Sequence, residues 1–300
     1  MDARRVLIVG AGLMGGGIAQ VAALADYRVT LRDVSQQMLD KAMTNIAWSL
    51  GKFVEKGQIT AEAREAALGR LGTTLTLDAA AESDFVIEAI FENKTLKQDV
   101  FRELDRLCPA HTIMASNTSA IPVTELAKVT NRPDRVVGTH FFSPVPLMPL
   151  CELVRGLETS DETLAAAKAF VESLGKETVT VKRDVAGFAL NRINIPSSVE
   201  AIRLVEAGVI TPEEVDKGMR LGMGRRMGPF ETMDMTGLDV TLGAMLAIYE
   251  ETKDPRFWPP DLLRRKVAAG HLGRKVGQGW YVYKEKRAEV NLVQSVNERH

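Results

Sequence analysis

Residues 6–15, Val-Leu-Ile-Val-Gly-Ala-Gly-Leu-Met-Gly, constrain the fold more than any other stretch of this chain. Four aliphatic residues in a row read as a short buried strand, the glycines follow at once, and Ile18, Val21, Ala22 and Ala25 then recur at helical spacing. A strand, a glycine turn and a helix in that order form the opening unit of a doubly wound α/β sheet. Gly10 permits the tight turn, Gly12 lets backbone N–H groups approach a pyrophosphate at the helix start, and Gly15 lets helix pack closely on strand, with Leu13 and Met14 between them. Asp33 ends the next strand pattern, 18 residues after Gly15. A carboxylate there accepts hydrogen bonds from the adenosine ribose hydroxyls and repels a 2′-phosphate, so NAD is preferred over NADP. Arg32 beside it keeps NADP open, because a guanidinium pairs well with phosphate. No GK[ST] follows the glycines and no GxSxG occurs, which excludes a P-loop and a hydrolase elbow.

Further along, strand patterns at 5–9, 28–31, 85–88, 112–115, 136–139, 152–154 and 178–181 alternate with helical ones, as in a parallel sheet covered by helices. Residues 35–69 are too long for one crossover and predict a pair of antiparallel helices, an arm over a ligand site. After Asp184 the β-branched runs vanish, and helical segments at 188–207, 212–221, 238–251 and 260–269 are punctuated by Gly and Pro. Thr211-Pro212-Glu213-Glu214 has the form of a helix start, with Thr as cap, Pro in the first position and acids in the first turn. The expected fold is therefore a Rossmann-type doubly wound sheet over 1–184 and an all-α C-terminal domain over 185–300.

Composition excludes several function classes. Lys+Arg 38 against Asp+Glu 39 leaves a formal net charge of -1, so no basic field draws nucleic acid or an anionic membrane. Any anionic ligand must be held by local groups. No apolar run reaches membrane-spanning length, and the opening Met1-Asp2-Ala3-Arg4-Arg5 leads into a strand instead of a signal-peptide core, which reads as a soluble, cytoplasmic protein. Cys108 and Cys151 lie far apart without CxxC or zinc spacing, and His111, His140, His271 and His300 are scattered. That pattern argues against a disulfide framework, a metal site and a redox pair. The sequon Asn117-Thr118-Ser119 has no secretory context and is set aside.

In Gly138-Thr139-His140-Phe141-Phe142-Ser143-Pro144-Val145-Pro146 a strand runs into a proline-stiffened loop and leaves His140 near its end. Ligand chemistry gathers at the carboxyl ends of strands in doubly wound sheets. Glu152 begins another strand pattern 12 residues later, and an imidazole oriented by a carboxylate is a general base suited to removing a hydroxyl proton as hydride leaves the same carbon.

Together with 10–15, the segments Glu88-Ala89-Ile90-Phe91-Glu92-Asn93, Ser116-Asn117-Thr118-Ser119, His140 to Pro146, Gly187-Phe188-Ala189-Leu190-Asn191-Arg192, Met227-Gly228-Pro229-Phe230 and Gly279-Trp280-Tyr281 resemble the L-3-hydroxyacyl-CoA dehydrogenase family, in its 3-hydroxybutyryl-CoA branch. The resemblance spans essentially the whole chain. It implies that His140 is the base, Glu152 the carboxylate that orients it, Ser119 the hydrogen-bond donor to the substrate 3-oxygen and Asn191 the amide set against the substrate carbonyl. It implies cofactor contacts at Glu92, Lys97, Ser119, Ser143 and Lys275, and a coenzyme A face on the arm at Ser49, Lys52 and Lys56. Ser143 stands where most of the family has Asn, and Pro149 where many have a basic residue. The resemblance also implies a homodimer through the helical domain, consistent with the methionines Met219, Met223, Met227, Met233, Met235 and Met245 there. Two rival functions remain at this point. One is an NAD-dependent dehydrogenase of a free hydroxy acid, like the gulonate and carnitine dehydrogenases; the other is a non-catalytic, crystallin-like protein.

Overall fold

A computed structural model describes residues 5–283, so residues 1–4 and His300 lie outside it. The chain forms two compact units. Among the described residues, one comprises 5–195 with Ala247–Asp254, and the other Pro196–Leu246 with 255–283.

The first unit is built on an eight-stranded sheet. Its elements are β1 (Arg5–Val9), α1 (Leu13–Leu24), β2 (Arg28–Arg32), α2 (Gln36–Glu55), α3 (Ala61–Gly69), β3 (Leu71–Thr74), β4 (Phe85–Glu88), α4 (Lys94–Leu107), β5 (Ile113–Ser116), α5 (Val123–Ala127), β6 (Val136–Phe141), β7 (Leu150–Val154), α6 (Asp161–Ser173) and β8 (Glu177–Val181). The strand order is β3-β2-β1-β4-β5-β6-β7-β8. Every neighbouring pair is parallel except β6 and β7. The exception has a simple cause: only residues 142–149 join these two strands, fewer than a parallel crossover needs. The central strands are apolar throughout because helices cover both faces, and two cores result. One holds Ile8, Leu31 and Ile87 with Ile18 of α1; the other holds Leu7, Val86 and Met114 with Phe101 of α4.

Seven of these strands stand where the sequence patterns put them. β3 went unseen because Leu71-Gly72-Thr73-Thr74 is short and has a glycine at its second position, a weak strand signal. The arm is the pair α2 and α3, each opened by a hydroxyl cap: Ser35 accepts from Met38 N, and Thr60 from Ala63 N at 3.1 Å. α2 buries Leu39, Ala42, Ile46 and Leu50, one face at helical spacing, in the core that also holds α1.

Past the sheet lie α7 (Leu190–Glu206), α8 (Pro212–Met223), α9 (Pro229–Thr236), α10 (Leu238–Thr252) and α11 (Asp261–Ala268). α9 has no counterpart among the sequence patterns. Thr211 and Glu214 form the reciprocal capping box that opens α8. In the second unit two buried acids organise the helices. Asp216 accepts from Phe230 N, Glu231 N and Tyr281 Oη, while Asp234 accepts from Trp280 N, Tyr281 N and Tyr283 Oη. Burial pushes the Asp216 carboxyl above its usual value and raises the Tyr281 phenol, which donates to it.

Candidate active site

The parallel strands β1, β2, β4, β5 and β6 end on one edge of the sheet, and that edge collects the residues of interest. After β1, Gly10 takes φ 111, a region that favours glycine, and a Cβ there would lie 2.5 Å from the Ala89 carbonyl oxygen. A Cβ on Gly15 would lie 1.8 Å from the Gly10 oxygen, which is why helix and strand can approach so closely. Gly12 caps α1 without a side-chain hydrogen bond, the first turn holds no acid, and nothing lies within 4 Å of a Cβ built there. The first N–H groups of α1, around Leu13 and Met14, thus have no side-chain cap among the described residues. Such a helix start suits a pyrophosphate.

Asp33, after β2, accepts from Ala11 N at 2.8 Å through Oδ2 and from Ser35 N at 3.1 Å through Oδ1. It therefore braces the glycine turn, and each oxygen keeps a lone pair for a ribose hydroxyl. The donor set fits a dinucleotide.

At the end of β6, the antiparallel register sets His140 directly opposite Glu152. His140 Nδ1 lies 2.7 Å from Glu152 Oε2. The other oxygen, Oε1, accepts from Leu190 N at 3.0 Å and Ala189 N at 3.3 Å, so one buried carboxylate holds both the imidazole and the start of α7. That helix start carries positive partial charge and suits an ionised carboxylate. Nδ1 faces the carboxylate, a hydrogen-bond acceptor, and Nε2 has no hydrogen-bond partner among the described residues. Phe142 and Phe188 pack on the ring, with centroids 4.7 and 5.7 Å away.

Asn191, second residue of α7, belongs by its contacts to the same compact unit as His140. The reason is Glu152, whose grip on Ala189 and Leu190 ties the helix start to the sheet. The turn bearing Ser119 is fastened to β6 as well, since Phe141 N donates to Asn117 Oδ1 at 3.0 Å. Ser143 lies half-buried in the loop that follows.

Beyond β4, Glu92 accepts through Oε1 from Thr118 Oγ1, Ser119 N and Ala120 N. Burial pushes this carboxyl up, but the Lys97 charge and these donors outweigh it and hold it below its usual value. Lys97 itself is buried rather than presented to a ligand. Its Nζ lies 2.6 Å from Glu88 Oε1, 3.2 Å from Glu92 Oε2 and 3.3 Å from the Ile90 oxygen, so all its protons have protein acceptors.

A cleft of about 720 Å³ separates the glycine loop from α2 and residues 144–147, and Ser49, Lys52 and Lys56 all line it. Lys52 pairs with Glu55 at 2.6 Å, whereas Lys56 has no ion-pair partner among the described residues. Lys275 lies in the second unit, gripped by both Asp239 oxygens at 2.6 and 2.7 Å.

Two buried groups escaped sequence reasoning. Glu88 closes β4, where an acid ending an apolar strand was the available signal. Lys176 donates to the Val145 oxygen at 2.7 Å and the Met148 oxygen at 2.9 Å and so pins the loop after His140, with no sequence signal to mark it. Its burial pushes the ammonium below its usual range.

Residues 5–185 match the family model described as 3-hydroxyacyl-CoA dehydrogenase, NAD binding domain, and residues 187–283 match 3-hydroxyacyl-CoA dehydrogenase, C-terminal domain. A probable 3-hydroxybutyryl-CoA dehydrogenase of Bacillus subtilis is 44% identical over 286 residues, covering 95% of this chain and 99% of the relative. The solved structure of Mycobacterium tuberculosis FadB2 superposes with a TM-score of 0.91 at 41% identity, covering 95% of this chain and 100% of that one. The (S)-3-hydroxybutyryl-CoA dehydrogenase PaaH1 from Ralstonia eutropha does so with a TM-score of 0.87 at 44% identity, again covering 95% and 100%. The glycine turn, the braced Asp33 and the His140–Glu152 pair thus sit in a chain that belongs to the 3-hydroxyacyl-CoA dehydrogenase family, with an NAD-binding domain followed by the family's C-terminal domain.

Proposed function

We propose that this protein reversibly oxidises a short-chain (S)-3-hydroxyacyl-CoA, such as 3-hydroxybutyryl-CoA, to the 3-ketoacyl-CoA with NAD. The observation that carries this reading is the His140–Glu152 pair, whose free Nε2 stands at the same sheet edge as a dinucleotide turn. NAD, when bound, supplies the hydride acceptor for C3. His140 Nε2 takes the proton of the 3-hydroxyl, and the imidazolium so formed is stabilised by Glu152 through Nδ1. Ser119 donates to the 3-oxygen as negative charge builds there, and Asn191 sets the thioester carbonyl.

For the cofactor, Gly10, Gly12, Leu13, Met14 and Gly15 offer backbone donors to the pyrophosphate and Asp33 accepts from the ribose. Glu92, Ser119, Ser143 and Lys275 are assigned to the nicotinamide half, and Lys97 acts there through Glu92. Ser49, Lys52 and Lys56 line the cleft along α2 and are assigned to coenzyme A, which answers how a chain of net charge -1 holds a polyanion. The functional division near residue 184 is retained, with the helical part as the dimerisation domain. Exposed Val209, Leu221 and Met223 support that role. A cytoplasmic site of action is supported by Cys108 and Cys151, both buried free thiols, with burial raising Cys108 to about 11. Among the described residues no helix is long and apolar enough to cross a membrane.

The test is NADH oxidation with acetoacetyl-CoA, longer 3-ketoacyl-CoA esters, free acetoacetate, and NADPH in place of NADH. Turnover of the short thioester with NADH is expected. His140→Gln should lower kcat by about 10²–10⁴-fold while NADH still binds. Equal turnover of free acetoacetate points to the hydroxy-acid reading, and no turnover of any substrate to the non-catalytic one.

A further inference from the structure

Glu88, Lys97 and Glu92 form one cluster beneath the turn after β4, and their charges do not cancel. Lys97 Nζ stands between the two carboxylates, 2.6 Å from Glu88 and 3.2 Å from Glu92. Glu88 is wholly buried, and the groups that contact it are donors: Lys97 Nζ, Ile90 N at 2.7 Å and Ser116 Oγ at 2.6 Å. An ionised carboxylate is held in this way. Glu92 accepts in turn from Thr118, Ser119 and Ala120. Two carboxylates against one ammonium leave one negative charge, in a place where protein screens it less than water does.

The sheet order says which part of a dinucleotide meets this charge. Glycine turn and Asp33 follow β1 and β2, so the adenosine half runs toward β2. On the other side of β1 come β4, β5 and β6, the strands that carry the cluster, Ser119 and His140. The nicotinamide half must run that way to bring its ring to the base. Nicotinamide is a cation when oxidised and neutral when reduced.

We propose that the Glu88–Lys97–Glu92 cluster discriminates between the two redox forms of the cofactor, favouring the oxidised nicotinamide through its residual negative charge. Glu88 is a positioning residue in this scheme: it holds Lys97, which holds Glu92. The inference rests on the functional reading above, which supplies the cofactor.

The test is the ratio of the dissociation constants for NADH and NAD, each titrated against the full-length protein by calorimetry or nucleotide fluorescence. Glu88→Gln keeps size and acceptor while leaving Lys97 and Glu92 as a neutral pair. Removing a unit charge on the nicotinamide side, where protein screens it less than water, should lower that ratio on the order of tenfold. Glu92→Gln, which keeps an acceptor oxygen for the same donors, should move it in the same direction. The shift should shrink as salt is raised. A cluster that only supports the fold would weaken both nucleotides by one factor, and an unchanged ratio in both variants overturns the proposal. A parent protein that binds neither nucleotide overturns the functional reading, and the proposal with it.

Discussion

The buried acids of the two units are chemically alike and structurally opposite. Glu152 and Glu88 in the sheet unit, and Asp216 and Asp234 in the helical unit, are all 1% exposed or less. Asp216 and Asp234 spend their oxygens on backbone amides and tyrosine hydroxyls, donors that go no further. Glu152 divides its oxygens between the start of α7 and His140, and the imidazole passes the effect on to a nitrogen with an open face. A buried carboxylate whose donors all end in the fold is a structural tie. One that hands its hydrogen bond to a titratable group with a free side is part of a site. The cost of burying the charge is similar in each; what differs is where the chain of contacts ends.

This contrast can be broken by experiment. Glu152→Gln should have the largest effect, lowering kcat for acetoacetyl-CoA reduction by about 10²-fold or more, since an amide no longer stabilises the imidazolium. If kcat is retained, Glu152 is a tie like the others. Asp234→Ala should act on stability instead, costing about 3 kcal/mol by leaving Trp280 N, Tyr281 N and Tyr283 Oη without an acceptor. Chemical denaturation measures the loss, and kcat below the unfolding transition should stay near the parent value. A smaller change is expected for Tyr281→Phe, which removes one donor at 2.7 Å from Asp216 and should cost about 1 kcal/mol. The smallest effect concerns pH. Burial pushes the Glu231 carboxyl up, but Arg220 and the Gly228 amide outweigh it and hold it below its ordinary 4.5. A carboxylate lowered in the folded state stabilises fully above about pH 4.5 and loses that contribution as acid protonates it. Glu231→Gln should therefore flatten the fall of stability on acidification; an unchanged slope contradicts the pairing.

Much of the site was legible in the sequence because its parts are local. The turn from Gly10 to Gly15, the acid at Asp33 and the cap at Thr211 each follow from residues a few places apart, where backbone geometry permits few alternatives. The strand patterns were legible for a related reason: a strand covered on both faces must be apolar throughout. The partners of Lys97 were not legible for the opposite reason: only the fold reveals Glu88, nine positions earlier, beneath it. Lys176 was missed likewise, since its acceptors are backbone oxygens 28 and 31 residues away and carry no side-chain signal.

By itself, then, the sequence determined the doubly wound sheet, the dinucleotide turn, the choice of His140 as the proposed base and the family to which these belong. Only the tertiary structure decided how the base is held. A linker of residues 142–149 is too short to carry β7 back to a parallel alignment, so the chain returns antiparallel and brings Glu152 opposite His140. The same carboxylate then claims the first amides of α7 and draws Asn191 into the sheet unit. Spacing along a chain records which groups are present; which of them share a proton depends on strand direction and register, and those are settled only when the sheet closes.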